Sequence, residues 1–116
     1  MLKLGIRVST EVILGKGHFM RCLSIRKYIK GNVIWFIDKE NNTIEKDIPK
    51  IDKIIYENSS SRYVNLKKFI LNKEVNSLLI DNFSIDINSL RSIDEKISIA
   101  ALIDADIKVK TNIIIC

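Results

Sequence analysis

Residues 33–37, Val-Ile-Trp-Phe-Ile, and residues 78–81, Leu-Leu-Ile-Asp, are the apolar runs that decide the fold, and the second run ends in a carboxylate. Runs that are apolar on both sides are typical of parallel strands, because helices cover both faces of a parallel sheet. A predicted strand at Leu2–Val8 and a predicted helix over 18–30 precede the first run. This alternation predicts an α/β fold with a parallel sheet.

The rest of the chain continues the alternation of strands and helices. Apolar residues at helical spacing predict a helix over about 62–73, for which Ser59, Ser60 and Ser61 are candidate N-caps. The other predicted elements are a loop over 9–17, a short helix or loop within 39–50 that ends at Pro49, strands at Lys53 to Tyr56, Ile97 to Ile103 and Asn112 to Cys116, and a helix near 86–95. With the common strand order 3-2-1-4-5, we expect a Rossmann-like sheet that binds ligands where the first and fourth strands end.

The length of 116 residues predicts one domain over 1–116 with one hydrophobic core. A hydrophobic fraction of 47% and a charged fraction of 28% are typical of a packed globular fold. Two cysteines, Cys22 and Cys116, do not suggest a disulfide framework. The sequence shows no signal peptide and no apolar run that could cross a bilayer, so we expect a cytoplasmic protein.

The net charge of +5 is concentrated in one segment. Five bases and no acids lie between residues 16 and 30, and they are Lys16, Arg21, Arg26, Lys27 and Lys30. Such a helix could attract a phosphate at its N-terminus, or its charges could form an ordinary solvated face. Basic residues are not interleaved with stacking aromatic residues, which argues against nucleic-acid binding.

The segment from Gly15 to Cys22 contains the single histidine of the chain, His18, at a predicted strand-to-helix junction. Glycines at 15 and 17 allow a ligand to approach the backbone closely. Neutral imidazole can accept a proton near physiological pH. The segment therefore predicts a functional site.

A dinucleotide-binding motif is one interpretation of this segment, because Gly15 and Gly17 follow a strand and Asp38 ends the next one. The nine residues from 9 to 17 are too many for the tight first turn of that motif. Met20 also stands where a small residue should allow close helix packing. Both features argue against NAD binding.

The motif Gly-x-Gly-His-x-x-Arg-Cys at 15–22 resembles the UDP-sugar hydrolases of pseudaminic acid biosynthesis, which act on UDP-2,4-diacetamido-2,4,6-trideoxy-β-L-altropyranose. Residues 6–13, residues 79–84 and residues 102–104 are similar to further segments of that family. Spore-coat polysaccharide proteins and glycosyltransferases of the GT-B fold belong to the same superfamily. The resemblance implies that this chain corresponds to the amino-terminal half of a two-domain protein.

The resemblance implies hydrolysis at an anomeric carbon, in which water displaces UDP with inversion and His18 is the general base. The substrate-binding residues would be Gly15, Gly17, Arg21, Arg7, Asp81 and Asn82. Arg21 and the helix N-terminus would face the diphosphate, while Asp81 would orient His18 or a sugar hydroxyl. The expected partners are a UDP-linked amino sugar and a carboxyl-terminal domain, with no metal and no cofactor.

Three residues depart from the family pattern. Ser9 stands in place of an aspartate, Asn82 in place of a histidine and Ala105 in place of a second acid. Asn82 can form hydrogen bonds but cannot titrate. The alternative hypotheses are therefore a non-catalytic remnant, a sugar-nucleotide-binding module, or a nucleotide-binding domain of unrelated activity. The isolated half is expected to be inactive alone, so whether the chain is itself an enzyme stays open.

Several of these residues also have a structural interpretation. Asp81 and Asp104 could cap loops or helices, and Arg7 could form a salt bridge. Cys22 is expected to be a small buried hydrophobe rather than a nucleophile. The aromatic residues Tyr28, Trp35 and Phe69 are predicted to lie in or near the core.

Overall fold

The fold is a six-stranded sheet with helices, seen in a computed structural model that describes residues 2–8, 15–38, 45–57, 63–81, 87–102 and 113–115. The elements are β1 (Leu4–Val8), α1 (Gly15–Arg26), β2 (Val33–Ile37), β3 (Lys53–Tyr56), α2 (Val64–Leu71), β4 (Ser77–Asp81), α3 (Ile87–Arg91), β5 (Ser98–Leu102) and β6 (Ile113–Ile115). The strand order is β3-β2-β1-β4-β5-β6, and every neighbouring pair is parallel. The predicted α/β, Rossmann-like fold class is confirmed.

The sheet has a separate apolar core on each face, because successive side chains of a strand point to opposite sides. In β4, Leu79 packs with Phe19 and Cys22 of α1. Its neighbours on either side belong to a second core with residues of α2 and α3. Burial on both faces explains why these strands are nearly continuous apolar runs.

The boundaries of α1 differ from the prediction of a helix over 18–30. The helix begins at Gly15, so both glycines of the motif lie in its first turn rather than in a loop, and it ends at Arg26. Backbone turns follow, with Tyr28 N bonded to Ile25 O at 3.0 Å. Gly31 has a φ of +92°, which glycine adopts without strain, so the reversal into β2 occurs there.

The N-terminus of α2 is not capped as predicted. Tyr63 is the N-cap residue, in a left-handed conformation and without a side-chain capping bond. The buried Glu57 carboxylate instead accepts bonds from Asn65 N at 3.2 Å and Leu66 N at 2.8 Å. The carboxylate satisfies two free backbone N–H groups of the first turn, and its negative charge interacts favourably with the positive end of the helix dipole. The candidate caps at 59–61 lie outside the described residues.

The strands predicted at Val33–Ile37 and Lys53–Tyr56 have the predicted bounds, and the other predicted elements are present with bounds shifted by a few residues. Residues 45–50 form a turn region that places Ile48 in the α1-side core. Trp35 is fully buried and Phe69 packs against the other core, as predicted. Tyr28 is not in the core: it is 90% exposed, because it follows the last turn of α1. No helix among the described ranges has the length and apolarity to cross a membrane.

A buried ion pair attaches the end of α1 to the sheet. The Asp52 carboxylate has no exposed surface and accepts bonds from Arg26 Nε and Nη2, both at 2.8 Å. It also accepts bonds from Trp35 Nε1 at 2.9 Å and Val33 N at 3.0 Å. Arg26 in turn donates to the carbonyl oxygens of Ile29 and Gly31. A buried pair with this many bonds is costly to break from one side.

Replacing Asp52 with Asn should lower the free energy of unfolding by about 3–5 kcal/mol, because it leaves the Arg26 charge buried without its counter-ion. Chemical denaturation at neutral pH measures this change. Asp47→Asn is the matched control, because Asp47 lies in an exposed turn. Equal unfolding midpoints for the two variants would contradict the prediction.

The same pair should make stability depend on pH. Burial raises the pKa of Asp52, but the bonds from Arg26, Trp35 and Val33 outweigh it and hold the pKa below its ordinary value. A lowered carboxyl pKa stabilises the fold above the unfolded-state value of about 3.9, and this contribution disappears as the pH falls through the folded-state pKa. The difference in unfolding free energy between the wild type and Asp52→Asn should therefore become smaller as the pH is lowered below about 3.9, which denaturation curves at a series of pH values measure.

Candidate functional site

The candidate site lies between β1 and β4, where the strand order reverses: β2 and β3 lie on one side of β1, and β4 to β6 lie on the other. β1 and β4 are neighbours in the sheet, and Val8 at the end of β1 pairs with Asp81 at the end of β4. The helix after β1 packs on one face, and the helices flanking β4 pack on the other. In open parallel sheets such a switch point leaves a crevice at the carboxyl ends of the strands, where ligands bind.

Three side chains meet at this point, two from α1 and one from β4. His18 Nδ1 lies 2.7 Å from Asp81 Oδ1. Arg21 reaches the same carboxylate, with Nη2 at 2.8 Å from Oδ1 and Nε at 3.0 Å from Oδ2. Residues three apart share one face of a helix, so the sequence spacing brings His18 and Arg21 to the same anion.

The contact with Asp81 decides which nitrogen of His18 carries the proton. Two acceptors would repel each other at 2.7 Å, so Nδ1 must donate to the carboxylate in the neutral ring. Nε2 then carries the lone pair. The His18 side chain retains 25% exposure, while the Asp81 side chain has none. The geometry therefore orients a basic nitrogen on a partly exposed ring.

Cys22 adjoins this cluster without the character of a nucleophile. Its side chain is fully buried, and Sγ lies 3.9 Å from Asp81 Oδ2. Burial, reinforced by the charge of Asp81, raises the pKa of the Cys22 thiol far above its ordinary value. The expectation of a small buried hydrophobe is confirmed.

A second buried ion pair lies one strand away, between the ends of β1 and β2. Arg7 is fully buried, and its Nη2 donates to the Asp38 carboxylate. Nη1 donates to the carbonyl oxygens of Val8 at 2.6 Å and Phe36 at 3.1 Å. The guanidinium carbon lies 5.3 Å from the centre of the Tyr63 ring, a cation–π distance. These contacts support the salt-bridge interpretation of Arg7, and contact with a substrate stays a prediction.

The Arg7 pair also bears on the dinucleotide interpretation. A ribose-binding acid at the end of the second strand must present its carboxylate to the sugar, but Asp38 is bonded to a buried arginine. The two glycines of the motif lie within a helix rather than in a preceding tight turn. Both observations argue further against NAD binding.

The structure thus brings together three predicted site residues, His18, Arg21 and Asp81. Gly15 and Gly17 lie in the first turn of the same helix. Of the other two predicted residues, Arg7 lies one strand away in its pair with Asp38, and Asn82 lies outside the described residues, as do Ser9, Asp104 and Ala105. The fork between Arg21 and Asp81, formed by the two hydrogen bonds from Nε and Nη2, was not predicted from the sequence. Its only signal was the spacing of Arg21 from His18.

Comparison with protein-family models, with curated proteins and with solved structures gives no match to this chain. Among the described residues, no group of three or more His, Cys, Asp or Glu side chains is arranged to hold a metal ion. The chemistry of the site therefore has to be argued from the His18, Asp81 and Arg21 contacts.

The burial of Cys22 gives a direct test of this geometry. In a Cys116→Ser variant, in which Cys22 is the single thiol, we expect labelling by a thiol reagent to be slow in buffer and rapid in denaturant. Absorbance of the released thiolate measures both rates. Comparable rates under the two conditions would mean that Cys22 is accessible and would contradict the described packing.

Proposed function

We propose that the chain is the amino-terminal domain of a UDP-amino-sugar hydrolase of nonulosonic acid biosynthesis, with His18 as the general base. This domain would correspond to the amino-terminal half of a GT-B fold. The observation that carries the proposal is the contact of His18 Nδ1 with Asp81 at the β1–β4 switch point. The motif at 15–22 and the similar segments named above supply the family.

The geometry of His18 suits the removal of a proton from water. The Nδ1–H bond to Asp81 leaves the Nε2 lone pair as the basic group, and an imidazole is basic enough to act near neutral pH. Asp81 would also stabilise the imidazolium that forms when the proton is taken. This is the role of the aspartate in a serine-protease triad, applied here to a water nucleophile.

The proposed step uses one water molecule and requires no redox partner. The water oxygen forms a bond to the anomeric carbon as the bond from that carbon to the diphosphate oxygen breaks. The electron pair of the broken bond leaves with UDP, and His18 Nε2 takes the proton of the attacking water. Attack on the face opposite the leaving group inverts the anomeric centre and yields the free amino sugar.

Binding of the diphosphate is assigned to the start of α1. The first turn of this helix contains Gly15 and Gly17, and backbone N–H groups at a helix N-terminus attract phosphate. Glycine at these positions lets the ligand approach the backbone closely. By the resemblance, a second domain supplies the remaining uridine and diphosphate contacts. We therefore propose a carboxyl-terminal domain, in the same or another chain, as the partner.

A sugar-nucleotide-binding module without catalysis is the second candidate function. The observation that favours it is the set of departures from the family pattern, because Asn82 and Ala105 replace groups that can titrate. Such a module would use the same crevice but would not require a base at His18. The two hypotheses differ in the effect of replacing that residue.

The test mixes the chain with the carboxyl-terminal domain of a hydrolase of this family and measures UDP release from the UDP-linked diacetamido sugar. We expect the mixture to release UDP, and we expect no substantial release by the isolated chain. His18→Gln should lower kcat by about 10²–10⁴-fold, the usual contribution of a general base, with little change in KM. The unfolding midpoint of the variant checks that the fold is retained.

Lys27→Met is the matched control, because Lys27 is an exposed residue of the turn that follows the same helix. It should leave kcat unchanged. Equal turnover by His18→Gln and the wild type would refute the general-base role. Binding of UDP without turnover by any mixture would favour the binding module.

A further inference from the structure

We propose that Arg21 is a positioning residue, which acts through Asp81 to hold His18 in the tautomer with its lone pair on Nε2. This inference rests on the proposed function, because it assigns a task to that tautomer. It replaces the expected role of Arg21 as a diphosphate ligand. Arg21, Asp81 and His18 are the three side chains that meet at the end of β4.

The guanidinium of Arg21 fixes the plane of the Asp81 carboxylate. Two parallel bonds, Nε to Oδ2 at 3.0 Å and Nη2 to Oδ1 at 2.8 Å, leave the carboxylate no freedom to rotate without breaking one of them. Oδ1 is the oxygen that accepts from His18 Nδ1. The fork therefore holds the acceptor of His18 in a defined direction, which a single bond would not do.

The charge of Arg21 complements this geometry. A carboxylate with no exposed surface is costly to bury without a cation, and Arg21 is the arginine bonded to it. Arg21 Nη2 also lies 3.1 Å from His18 Nδ1, because both nitrogen atoms donate to the same oxygen, Oδ1, rather than to each other. A positive charge at this distance disfavours the imidazolium and so favours the neutral ring, which is the form that can accept a proton.

These contacts also explain why Arg21 is unsuited to the diphosphate role. Two of its nitrogen atoms are bonded to Asp81, and moving the guanidinium to a phosphate would leave that buried carboxylate without its fork. The N-terminal turn of α1 and the second domain can provide phosphate contacts without this loss. Arg21 acts on the reaction through Asp81 and touches no reacting atom.

The experiment uses the fact that the chain contains one histidine. In a uniformly ¹⁵N-labelled sample of the 116-residue chain at neutral pH, long-range ¹⁵N–¹H spectra report the protonation of each ring nitrogen of His18 without assignment ambiguity. We expect Nδ1 in the protonated range and Nε2 in the unprotonated range for the wild type. No substrate, second domain or turnover is needed.

Two variants of Arg21 separate its fork from its charge. Arg21→Met removes both, whereas Arg21→Lys keeps the charge but cannot form the fork. In Arg21→Met we expect Nε2 to shift towards the protonated range, because loss of the positive charge beside the buried carboxylate favours the imidazolium. In Arg21→Lys, which keeps the charge, we expect Nδ1 to shift towards the unprotonated range, because the carboxylate is no longer held in one direction. Lys27→Met, which removes a positive charge just after the same helix, should reproduce the wild-type spectrum.

A wild-type tautomer in either Arg21 variant would overturn the proposal, and so would an Nε2-protonated ring in the wild type. The backbone amide spectrum of each variant establishes that it is folded, and Arg21→Lys remains informative if Arg21→Met does not fold. The outcome is independent of the hydrolase test. A tautomer change without any UDP release would support Arg21 as a positioning residue and refute the hydrolase.

Discussion

The Asp81 carboxylate is buried at the end of a central strand, where it needs donors from its surroundings. Helix α1 supplies them, through the ring of His18 and the fork of Arg21. The same contacts dock the N-terminal half of the helix on the sheet and orient the imidazole. One buried anion therefore joins the fold to the candidate chemistry, and the helix cannot shift along the sheet without disturbing His18.

A second buried carboxylate holds the other end of the helix. Asp52 bonds Arg26 in the last turn of α1, together with Trp35 of β2. The apolar residues of α1 do not form a clean stripe, so apolar burial alone gives the helix a weak orientation. Ion pairs with two buried carboxylates, one towards each end of the helix, supply the directional contacts that the apolar pattern lacks.

These ion pairs change the meaning of the positive charge in residues 16–30. Arg21 and Arg26 are bonded to buried acids, so two of the five bases are matched by carboxylates from distant parts of the sequence. Residues 16–30 are basic as a segment because the acidic partners of these arginines, Asp81 and Asp52, lie outside it in the sequence. A count of charges along the chain therefore overstates the positive surface of α1. Arg7 shows the same effect, since its acid, Asp38, comes from the next strand.

The sequence by itself determined the fold class and most of the strands. Apolar runs such as 33–37 and 78–81 are local patterns, and burial on both faces of a parallel sheet is the condition that produces them. It also indicated His18 and Asp81 as site residues. It placed the start of α1 three residues late, because glycine has a low helix propensity and the contacts that hold the helix are not local.

Only the tertiary structure decided how the charged groups are paired. Asp81 follows Arg21 by 60 residues, and Asp52 follows Arg26 by 26. Bonds over such separations depend on strand order and register, which bring the ends of β1 and β4 side by side. The hydrogen-bonding geometry of a buried carboxylate then selects the tautomer of His18. No residue pattern within the Gly15–Cys22 segment contains that information.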